Sequence, residues 1–512
     1  MSTTTVTHAN WSAVDTPEFN TGFDGAVRER GRFDRPWDLL VDGERIERAR
    51  RAHHSSADSG VALGQVSQAS ESDVQAAVSA AKKAFPAWRN APASERIAML
   101  RGVAARIEEL QFELAALISF EIGKNRFEAR TEVQEAVELL RFYCDSMEQQ
   151  QYLVTEYPPL GKEHSRSVAR PYGVWAILGP FNFPFALTAG MAAAALVTGN
   201  TVVIKPPDLA PASAIRFAEI CLDAGLPSAI IHVVCGGPAI GKSLTTDPRT
   251  AGVGFTGSME VGHAIRAAVP DKPVVLEMGG KNPAIVTETA DLDVAAEAIC
   301  RSAYRYSGQK CSACSRALVH ESLVDDLADA IFDRATRLSI GVPWTPEGTV
   351  GPLIDGKAQT RYEAALVQAS RDARRLLHGD VPRGLPDGAF VAPAIAVDLP
   401  AGHDLLTREL FVPLLCVQPV PDLGTAIRVA NEVPYGLTAG LYSTVQDEID
   451  RFQDEIEAGV LYVNRASGAT TGAWVGHQSF GGWKGSGSSG ANAHGPYYLQ
   501  QFVREQSRTV LD

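Results

Sequence analysis

Hydrophobic and polar positions follow a helical period in the first third of the chain. Between Ser70 and residue 150, apolar residues recur every three to four positions, which predicts three helices. The first begins at Ser70, and the others cover about 94–121 and 130–150. Ser70 and Asp73 have capping-box spacing, which favours a helix start at this point.

A different pattern begins at residue 172, where short β-branched runs alternate with amphipathic segments. The runs predict strands at Val174–Leu178, Thr201–Lys205, Ile230–Val234, Gly252–Phe255, Pro273–Glu277 and Ala284–Thr287, with helices near 185–198, 210–224, 238–246 and 259–268. This alternation predicts a parallel sheet with helices on both faces. Ligands bind such sheets at the carboxyl ends of the strands, so chemistry is expected in the loops that follow them.

The two ends of the chain differ in pattern. Residues 1–30 show no periodicity and are predicted to be irregular, whereas residues 37–45 predict a strand and a turn. The tail, 497–511, is strand-like and is expected to pair with another element. The Gly/Ser-rich stretch before it, 481–490, is short and is predicted to be a tight loop.

Composition indicates a globular protein. The 512 residues are 45% hydrophobic and 21% charged, and the length suggests about three domains. A net charge of −13 argues against nucleic acid and anionic membranes as partners. Seven cysteines, an odd number set mostly in apolar stretches, are typical of a reducing compartment. Because the first ten residues lack signal-peptide features, we expect a cytoplasmic protein.

Cys311, in the segment SGQKCSACSR, is the candidate nucleophile. It follows a helix predicted to start near residue 292, and Lys310 beside it is expected to favour the thiolate. Cys314 completes a CxxC, so a redox pair, half of a zinc site and two buried structural thiols remain competing interpretations. The sequence contains no second CxxC or Cys/His pair, so no metal site is predicted.

Other polar residues stand where predicted strands end. Glu277 lies in VVLEMGGKNP, Asn182 in GPFNFP and Lys205 at the end of TVVIK. Ser258 follows GFTG and opens a helix, as phosphate-binding residues often do. Taken singly, a salt-bridge carboxylate, an Asx turn and an ordinary N-cap explain these residues as well.

Taken together, the motifs resemble those of the aldehyde dehydrogenase superfamily, from about residue 37 to the C-terminus. The order that carries the resemblance is Asn182, Lys205, Ser258, Glu277, Cys311 and Glu409. It implies an α/β fold with a Rossmann-like parallel-sheet cofactor domain, a second α/β catalytic domain and a small β oligomerisation element. The implied bounds are 1–150 with 172–283 for the cofactor domain, 284–484 for the catalytic domain, and 151–171 with 485–512 for the oligomerisation element.

The resemblance also implies roles for individual residues. Cys311 is the expected nucleophile, Asn182 and the Cys311 backbone N–H form the oxyanion hole, and Glu277 is the general base. The residues implied to bind the cofactor are Lys205, Asp208, Gly241, Ser258, Gly279, Glu409 and Phe411. Asp208 stands where the family often has a glutamate for the adenosine ribose, which favours NAD without excluding NADP.

Within the superfamily, the chain is most similar to the Δ1-pyrroline-5-carboxylate dehydrogenases. GQKCSACSR, NRASGATTGAWVGHQSFGG and FGGWKGSGSSGANAHGPYYL carry this similarity. The implied substrate residues are Phe183, Ser312, Gly472, Ala473 and Phe480, in which amides and a hydroxyl anchor an α-carboxylate. The implied reaction is oxidation of L-glutamate γ-semialdehyde to L-glutamate in proline catabolism.

Three alternatives stay open. Ser479 and Val412 depart from the usual proline and glycine, so the substrate could instead be another carboxylated semialdehyde or an aromatic aldehyde. A non-catalytic nucleotide-binding protein and a thiol-redox protein are the other two. The expected partners are a small aldehyde and further copies of the chain, in a homo-oligomer.

Overall fold

The computed structural model describes residues 15–511, in which two seven-stranded sheets form the framework. Strands of the first sheet lie side by side in the order Val274–Met278, Thr250–Gly257, Val174–Leu178, Thr201–Lys205, Ile231–Val233, Leu39–Val41 and Glu44–Ile46. Its first five strands are parallel, and the last two form an antiparallel hairpin. The first five predicted strands, and the strand and turn at 37–45, are therefore confirmed, whereas the sixth, Ala284–Thr287, corresponds to Asn282–Val286 of the second sheet.

The second sheet is also largely parallel. Its order is Arg375–His378, Ala394–Val397, Leu414–Val420, Cys314–His320, Asn282–Val286, Thr438–Tyr442 and Val460–Val463. Only Arg375–His378 runs antiparallel to its neighbour. The predicted α/β class with two parallel-sheet units is confirmed, although the predicted boundary at 283/284 falls inside Asn282–Val286, a strand of the second sheet.

Three small sheets complete the strands. In the largest, Glu163–Pro171 lies between Val154–Glu156 and the tail strand Val503–Leu511. The others join Pro36–Trp37, Ala62–Ser67 and Arg50–His54, and Tyr435–Gly436 with Trp483–Lys484. The pairing predicted for the tail is confirmed, and the register runs from Val503 opposite Pro171 to Leu511 opposite Glu163.

Helices pack against these sheets. They span Pro17–Arg28, Glu71–Asn90, Ala93–Glu109, Gln111–Ile122, Arg126–Gln149, Ala186–Val197, Pro211–Asp223, Pro238–Thr246, Met259–Ala268, Leu292–Tyr304, Val324–Ala335, Gly356–Asp372, Asp404–Thr407, Leu423–Asn431 and Gln446–Glu455. The predicted capping box is present: the Asp73 N–H donates to the Ser70 hydroxyl, and the Ser70 N–H donates to the Asp73 carboxylate. Within residues 15–511, no helix combines the length and the apolar character needed to cross a membrane.

Two predictions about helices are wrong. The segment 1–30 was expected to be irregular, but part of it forms the helix Pro17–Arg28. Thr16 caps this helix, and its side chains Phe19 and Phe23 are buried. Residues 1–14 lie outside the described part. The single helix expected over 94–121 is two helices that meet at Leu110. Its apolar spacing continues through Leu110, so periodicity alone did not indicate the break.

The strand order explains where a site can form. From Val174–Leu178 the chain continues to Thr201–Lys205 and Ile231–Val233 on one side, and it then crosses over to Thr250–Gly257 on the other side of Val174–Leu178. Such a switch point opens a crevice at the carboxyl ends of the strands. Residues 486–488 run antiparallel along the edge strand Val274–Met278, because Ser486 bonds the backbone of Met278 and Gly279, and Ser488 bonds that of Val274.

Candidate active site

Cys311 lies in a tight turn beside a cavity of about 1040 Å³, counted with its open mouth. The turn leads into the strand Cys314–His320 of the second sheet. Asn282, on the neighbouring strand, holds it, since its side-chain amide donates to the carbonyls of Cys311 at 2.7 Å and Ala313 at 3.0 Å. A buried amide with two such bonds fixes the position of the turn that carries the thiol. Asn282 was not among the site residues predicted from the sequence.

The electrostatic setting of Cys311 differs from the prediction. Burial, together with the carboxylates Glu409 and Glu277, raises the pKa of Cys311 to about 12, against a smaller opposite effect of the Ser312 backbone. Lys310 was expected to favour the thiolate, but its ammonium lies 2.6 Å from the Glu128 carboxylate in a buried ion pair. That expectation is wrong because the charge of Lys310 is compensated by Glu128.

Asn182 lies in the loop after Val174–Leu178, and its side chain is buried. One amide hydrogen of Asn182 donates to the carbonyl of Gln309 at 2.9 Å. Because Gln309 lies two residues before Cys311 in the chain, this bond anchors the Asn182 side chain to the segment that carries the thiol. An amide carries two hydrogens, so the second is available to another acceptor. The predicted oxyanion role would use this second hydrogen.

Glu277 lies near the end of the strand Val274–Met278 and lines the same cavity as Cys311. Burial raises the pKa of Glu277 to about 8. Within residues 15–511, no donor is within hydrogen-bonding distance of its Oε2. A buried carboxylate with an unused oxygen and a pKa near neutrality has the properties of a general acid or base.

Cys314 has a structural environment. It is buried in the core of the second sheet, and its thiol donates to the backbone carbonyl of Arg316 at 3.4 Å. Burial raises the pKa of Cys314 to about 12. These contacts favour the interpretation of Cys314 as a core thiol over that of a redox partner for Cys311.

Four residues assigned to the cofactor surround the crevice at the switch point. Lys205 ends its strand and lies 3.1 Å from Asp208. Gly241 lies beside Leu178 and Lys205, at distances where an added Cβ would make ordinary contacts of 3.6 and 3.7 Å. Ser258 caps the helix Met259–Ala268, and such a helix N-terminus stabilises phosphate groups.

Glu409, Gly279 and Phe411 form a second group. The Glu409 carboxylate accepts a hydrogen bond from the Gly280 N–H at 3.1 Å, and burial raises its pKa to about 7. A Cβ on Gly279 would lie 2.0 Å from that carboxylate, so only glycine fits there. Phe411 has a φ of 59° and contacts Phe181 edge-on at 5.7 Å. Because a strained backbone is retained at this position, the ring is held in a defined orientation.

All five residues assigned to the substrate line the cavity of Cys311; they are Phe183, Ser312, Gly472, Ala473 and Phe480. Gly472 has a φ of 98°, which favours glycine. Its carbonyl accepts a hydrogen bond from the Arg465 guanidinium at 2.6 Å, and this bond holds the loop. The Lys124 ammonium lies 3.1 Å from the centre of the Phe183 ring.

Several lining residues were not predicted. They include Glu135, Leu139, Tyr143, Arg305, Thr471 and His494. The first three lie on one face of the helix Arg126–Gln149, at spacings of four residues. This helix was predicted from the sequence, but its contact with the cavity was not. The polar groups of Glu135 and Tyr143, on the same face as Leu139, were the signal that could have indicated that contact.

Comparisons with known proteins agree with this geometry. A sequence model of the aldehyde dehydrogenase family matches residues 46–507. The 1-pyrroline-5-carboxylate dehydrogenase of Bacillus pumilus is 36% identical over 487 residues, covering 93% of this chain and 92% of the relative. The 1-pyrroline-5-carboxylate dehydrogenase 2 of Bacillus subtilis is 36% identical over 491 residues, with the same coverage.

Solved structures show the same similarity. A mutant of Thermus thermophilus 1-pyrroline-5-carboxylate dehydrogenase superposes with a TM-score of 0.93 at 33% identity, and the match covers 97% of both chains. The Thermus enzyme with bound NAD gives a TM-score of 0.93 at 32% identity, again over 97% of both chains.

Proposed function

The chain belongs to the aldehyde dehydrogenase family, and on that premise we propose that it oxidises L-glutamate γ-semialdehyde to L-glutamate with NAD. This semialdehyde is the open form of Δ1-pyrroline-5-carboxylate, which the names of the relatives contain. One observation carries the proposal: the thiol of Cys311, the carboxylate of Glu277 and the backbone of Gly472 line one cavity.

The first half of the proposed reaction takes place at Cys311. The thiol gives up its proton and its sulfur attacks the aldehyde carbon, which produces a tetrahedral oxyanion. The second amide hydrogen of Asn182 and the Cys311 backbone N–H are the donors assigned to that oxyanion. Removing one such donor typically lowers the rate by roughly 100- to 1000-fold. Loss of hydride from the tetrahedral carbon leaves a thioester on Cys311.

Glu277 is the base assigned to the second half. Its carboxylate takes a proton from a water molecule, whose oxygen attacks the thioester, and the carboxylic acid leaves as Cys311 is regenerated. With a pKa of about 8, the Glu277 carboxylate is a stronger base than an ordinary carboxylate, and it is available to accept a proton once the pH approaches 8. Glu277 also lies in the cavity as a base to which the weakly acidic Cys311 thiol can pass its proton. Glu277 must then release that proton to solvent before it can act as the base in hydrolysis.

The residues of the crevice fit a dinucleotide. Gly279 keeps the backbone clear of the Glu409 carboxylate, Ser258 presents a helix N-terminus, and Lys205 and Glu409 offer groups that bond ribose hydroxyls. Hydride acceptance is the chemistry that a bound nicotinamide supplies. The Asp208 carboxylate favours NAD because it repels a 2′-phosphate.

The substrate assignment rests on the loop at Gly472. Its positive φ turns the chain so that the backbone of Gly472 and Ala473 lines the cavity together with Ser312. Amide N–H groups and a hydroxyl form a suitable anchor for a carboxylate. Phe183 and Phe480 are the apolar residues assigned to the aliphatic part of the substrate.

Kinetic comparison of aldehydes tests the proposal. The purified protein is assayed with glutamate γ-semialdehyde, succinate semialdehyde and benzaldehyde, each with NAD and with NADP. We expect the highest kcat/KM for glutamate γ-semialdehyde with NAD. A higher value for another aldehyde shows that the substrate assignment is wrong. Cys311→Ala is expected to abolish turnover, whereas Cys314→Ala, the matched control, retains most of it.

We also propose that the chain works in the cytoplasm as a homo-oligomer, with the domain bounds given above shifted so that the whole strand Asn282–Val286 belongs to the catalytic domain. Seven free thiols support the compartment. The edge strand Val503–Leu511 carries the exposed apolar residues Val510 and Leu511, and such an edge accepts a further strand. Light scattering tests this: Val510→Asp with Leu511→Asp should lower the molar mass, whereas Val367→Asp on an exposed helix face should not. An unchanged mass contradicts the role of the tail.

A further inference from the structure

His494 is an unusual residue in the substrate cavity. Its φ of 43° lies in the left-handed region, which a non-glycine residue seldom occupies. It nevertheless places an imidazole against the cavity that Cys311 and Gly472 line. A strained residue at a site persists where the surrounding structure holds it in place.

Several contacts hold His494. Its Nδ1 lies 2.9 Å from the Gln478 carbonyl, and the N–H of Phe480 donates to the neighbouring Ala493 carbonyl at 2.9 Å. A backbone hydrogen bond also joins His494 to the Tyr143 hydroxyl. The imidazole ring lies nearly parallel to that of Phe480, with ring centres 6.4 Å apart. The side chain therefore has one defined orientation.

These contacts determine which ring nitrogen carries the proton. A carbonyl oxygen only accepts hydrogen bonds, so Nδ1 carries the hydrogen. Burial lowers the pKa of His494, and the ring is neutral at pH 7. Nε2 therefore presents a lone pair, and none of the described residues hydrogen-bonds it. Glu135 lines the same cavity and acts on His494 as a nearby negative charge.

The lining of the cavity includes both hydrogen-bond donors and acceptors, and the cations Arg305 and Lys310 lie among its residues. Ser312, Gly472 and Ala473 supply a hydroxyl and backbone amides, whereas His494 and Glu135 supply acceptors, one of them charged. We propose that His494 is a specificity-determining residue whose Nε2 accepts a hydrogen bond from the α-ammonium group of the substrate. This inference rests on the proposed function, since only an α-amino aldehyde carries that group beside its carboxylate.

The substitution that isolates this contact is His494→Asn. Asparagine tolerates a positive φ, and its side-chain amide can replace Nδ1 as the donor to Gln478, but it places no acceptor where Nε2 lies. His494→Gly removes the whole side chain and relieves the backbone, so it serves as the second variant if the first fails to fold. His477→Asn, at an exposed histidine on the neighbouring loop, is the matched control.

The assay compares glutamate γ-semialdehyde with 5-oxopentanoate, the same chain without the amino group. We expect His494→Asn to lower kcat/KM for the amino substrate by about 10-fold or more, mainly through KM, and to leave that for 5-oxopentanoate unchanged. The inhibition constant of L-glutamate should rise by a similar factor, whereas that of glutarate should not. His477→Asn should match the parent in each measurement.

The two ways of failing are distinguishable. If His494→Asn lowers kcat/KM equally for both aldehydes, or for neither, the histidine does not contact the ammonium group, while the proposed function stands on the parent's own selectivity. If the parent itself fails to oxidise glutamate γ-semialdehyde, the proposed function is wrong, and the inference about His494 falls with it.

Discussion

The ammonium of Lys310 lies 2.6 Å from the carboxylate of Glu128, in a buried ion pair beside the reactive thiol. Glu128 belongs to the helix Arg126–Gln149, and Lys310 immediately precedes Cys311. The pair therefore connects the helix to the turn that holds the nucleophile. A second buried pair, Lys124 with Glu132 at 2.7 Å, involves the next turn of the same helix.

Glu128→Gln is expected to destabilise the fold, because it leaves the Lys310 charge buried without its partner. Breaking a buried pair in this way costs about 3–5 kcal/mol. The measurement is the urea midpoint, which should fall clearly below that of the parent. Glu148→Gln, in the exposed pair with Arg101, should leave the midpoint unchanged. Equal midpoints for Glu128→Gln and the parent contradict the importance of the pair.

The rate should depend on pH through Glu277. Below its pKa of about 8 the carboxyl group carries a proton and cannot accept one from water, so kcat should fall as the pH decreases through 8. In Glu277→Gln this limb should disappear, and steady-state turnover should drop by roughly 100- to 10,000-fold. A profile of the parent that is flat between pH 6 and 9, measured under saturating substrate, argues against this carboxyl as the base.

Gly472→Ala tests the carboxylate anchor. At a φ of 98° an added Cβ is strained and would lie 2.8 Å from the Arg465 guanidinium, so the loop must shift. Loss of hydrogen bonds to a charged group costs about 1.5–3 kcal/mol, so kcat/KM for glutamate γ-semialdehyde should fall by about 10- to 100-fold. Gly476→Ala shares the positive φ but has open space, and it controls for strain alone. An equal loss on benzaldehyde would count against an anchor.

Asp208→Ser is expected to shift cofactor preference towards NADP. The substitution removes a carboxylate that repels a 2′-phosphate, while Lys205 and Arg51, which both contact Asp208, stay in place. The ratio of kcat/KM with NADP to that with NAD should rise by about 10-fold, which corresponds to about 1.4 kcal/mol. Asp223→Ser, an equal charge change at an exposed helix end, should leave the ratio unaltered. If the ratio is unchanged in Asp208→Ser, the adenosine ribose does not bind beside Asp208.

Much of the framework was accessible from the sequence. The strands of the first sheet were predicted because each is a short β-branched run between amphipathic helices, and residues at their ends lie at the crevice because parallel strands end at one edge. Asn182, Lys205 and Glu277 were found by that rule. Glu277 and Cys311 line one cavity, and the position of Cys311 depends on the turn held by Asn282, which no local pattern indicates.

Long-range pairings were the part that sequence could not supply. Lys310 appears in the chain as a cation beside a thiol, and only the fold shows that Glu128, 182 residues away, compensates it. His494 resembles an ordinary loop histidine until its backbone angle and its place in the cavity are known. Such contacts depend on the packing of distant segments, and periodicity carries no information about them.

Detection of the acyl-enzyme tests the central claim, that Cys311 forms a thioester which Glu277 helps to hydrolyse. Glu277→Gln is mixed with glutamate γ-semialdehyde and NAD, quenched with acid, and analysed by intact mass and peptide mapping. We predict a burst of NADH close to one equivalent per active site and an acyl adduct that peptide fragmentation locates at Cys311 and not at Cys314, absent from Cys311→Ala. NADH formed without an adduct, or an adduct on Cys314, would contradict this account.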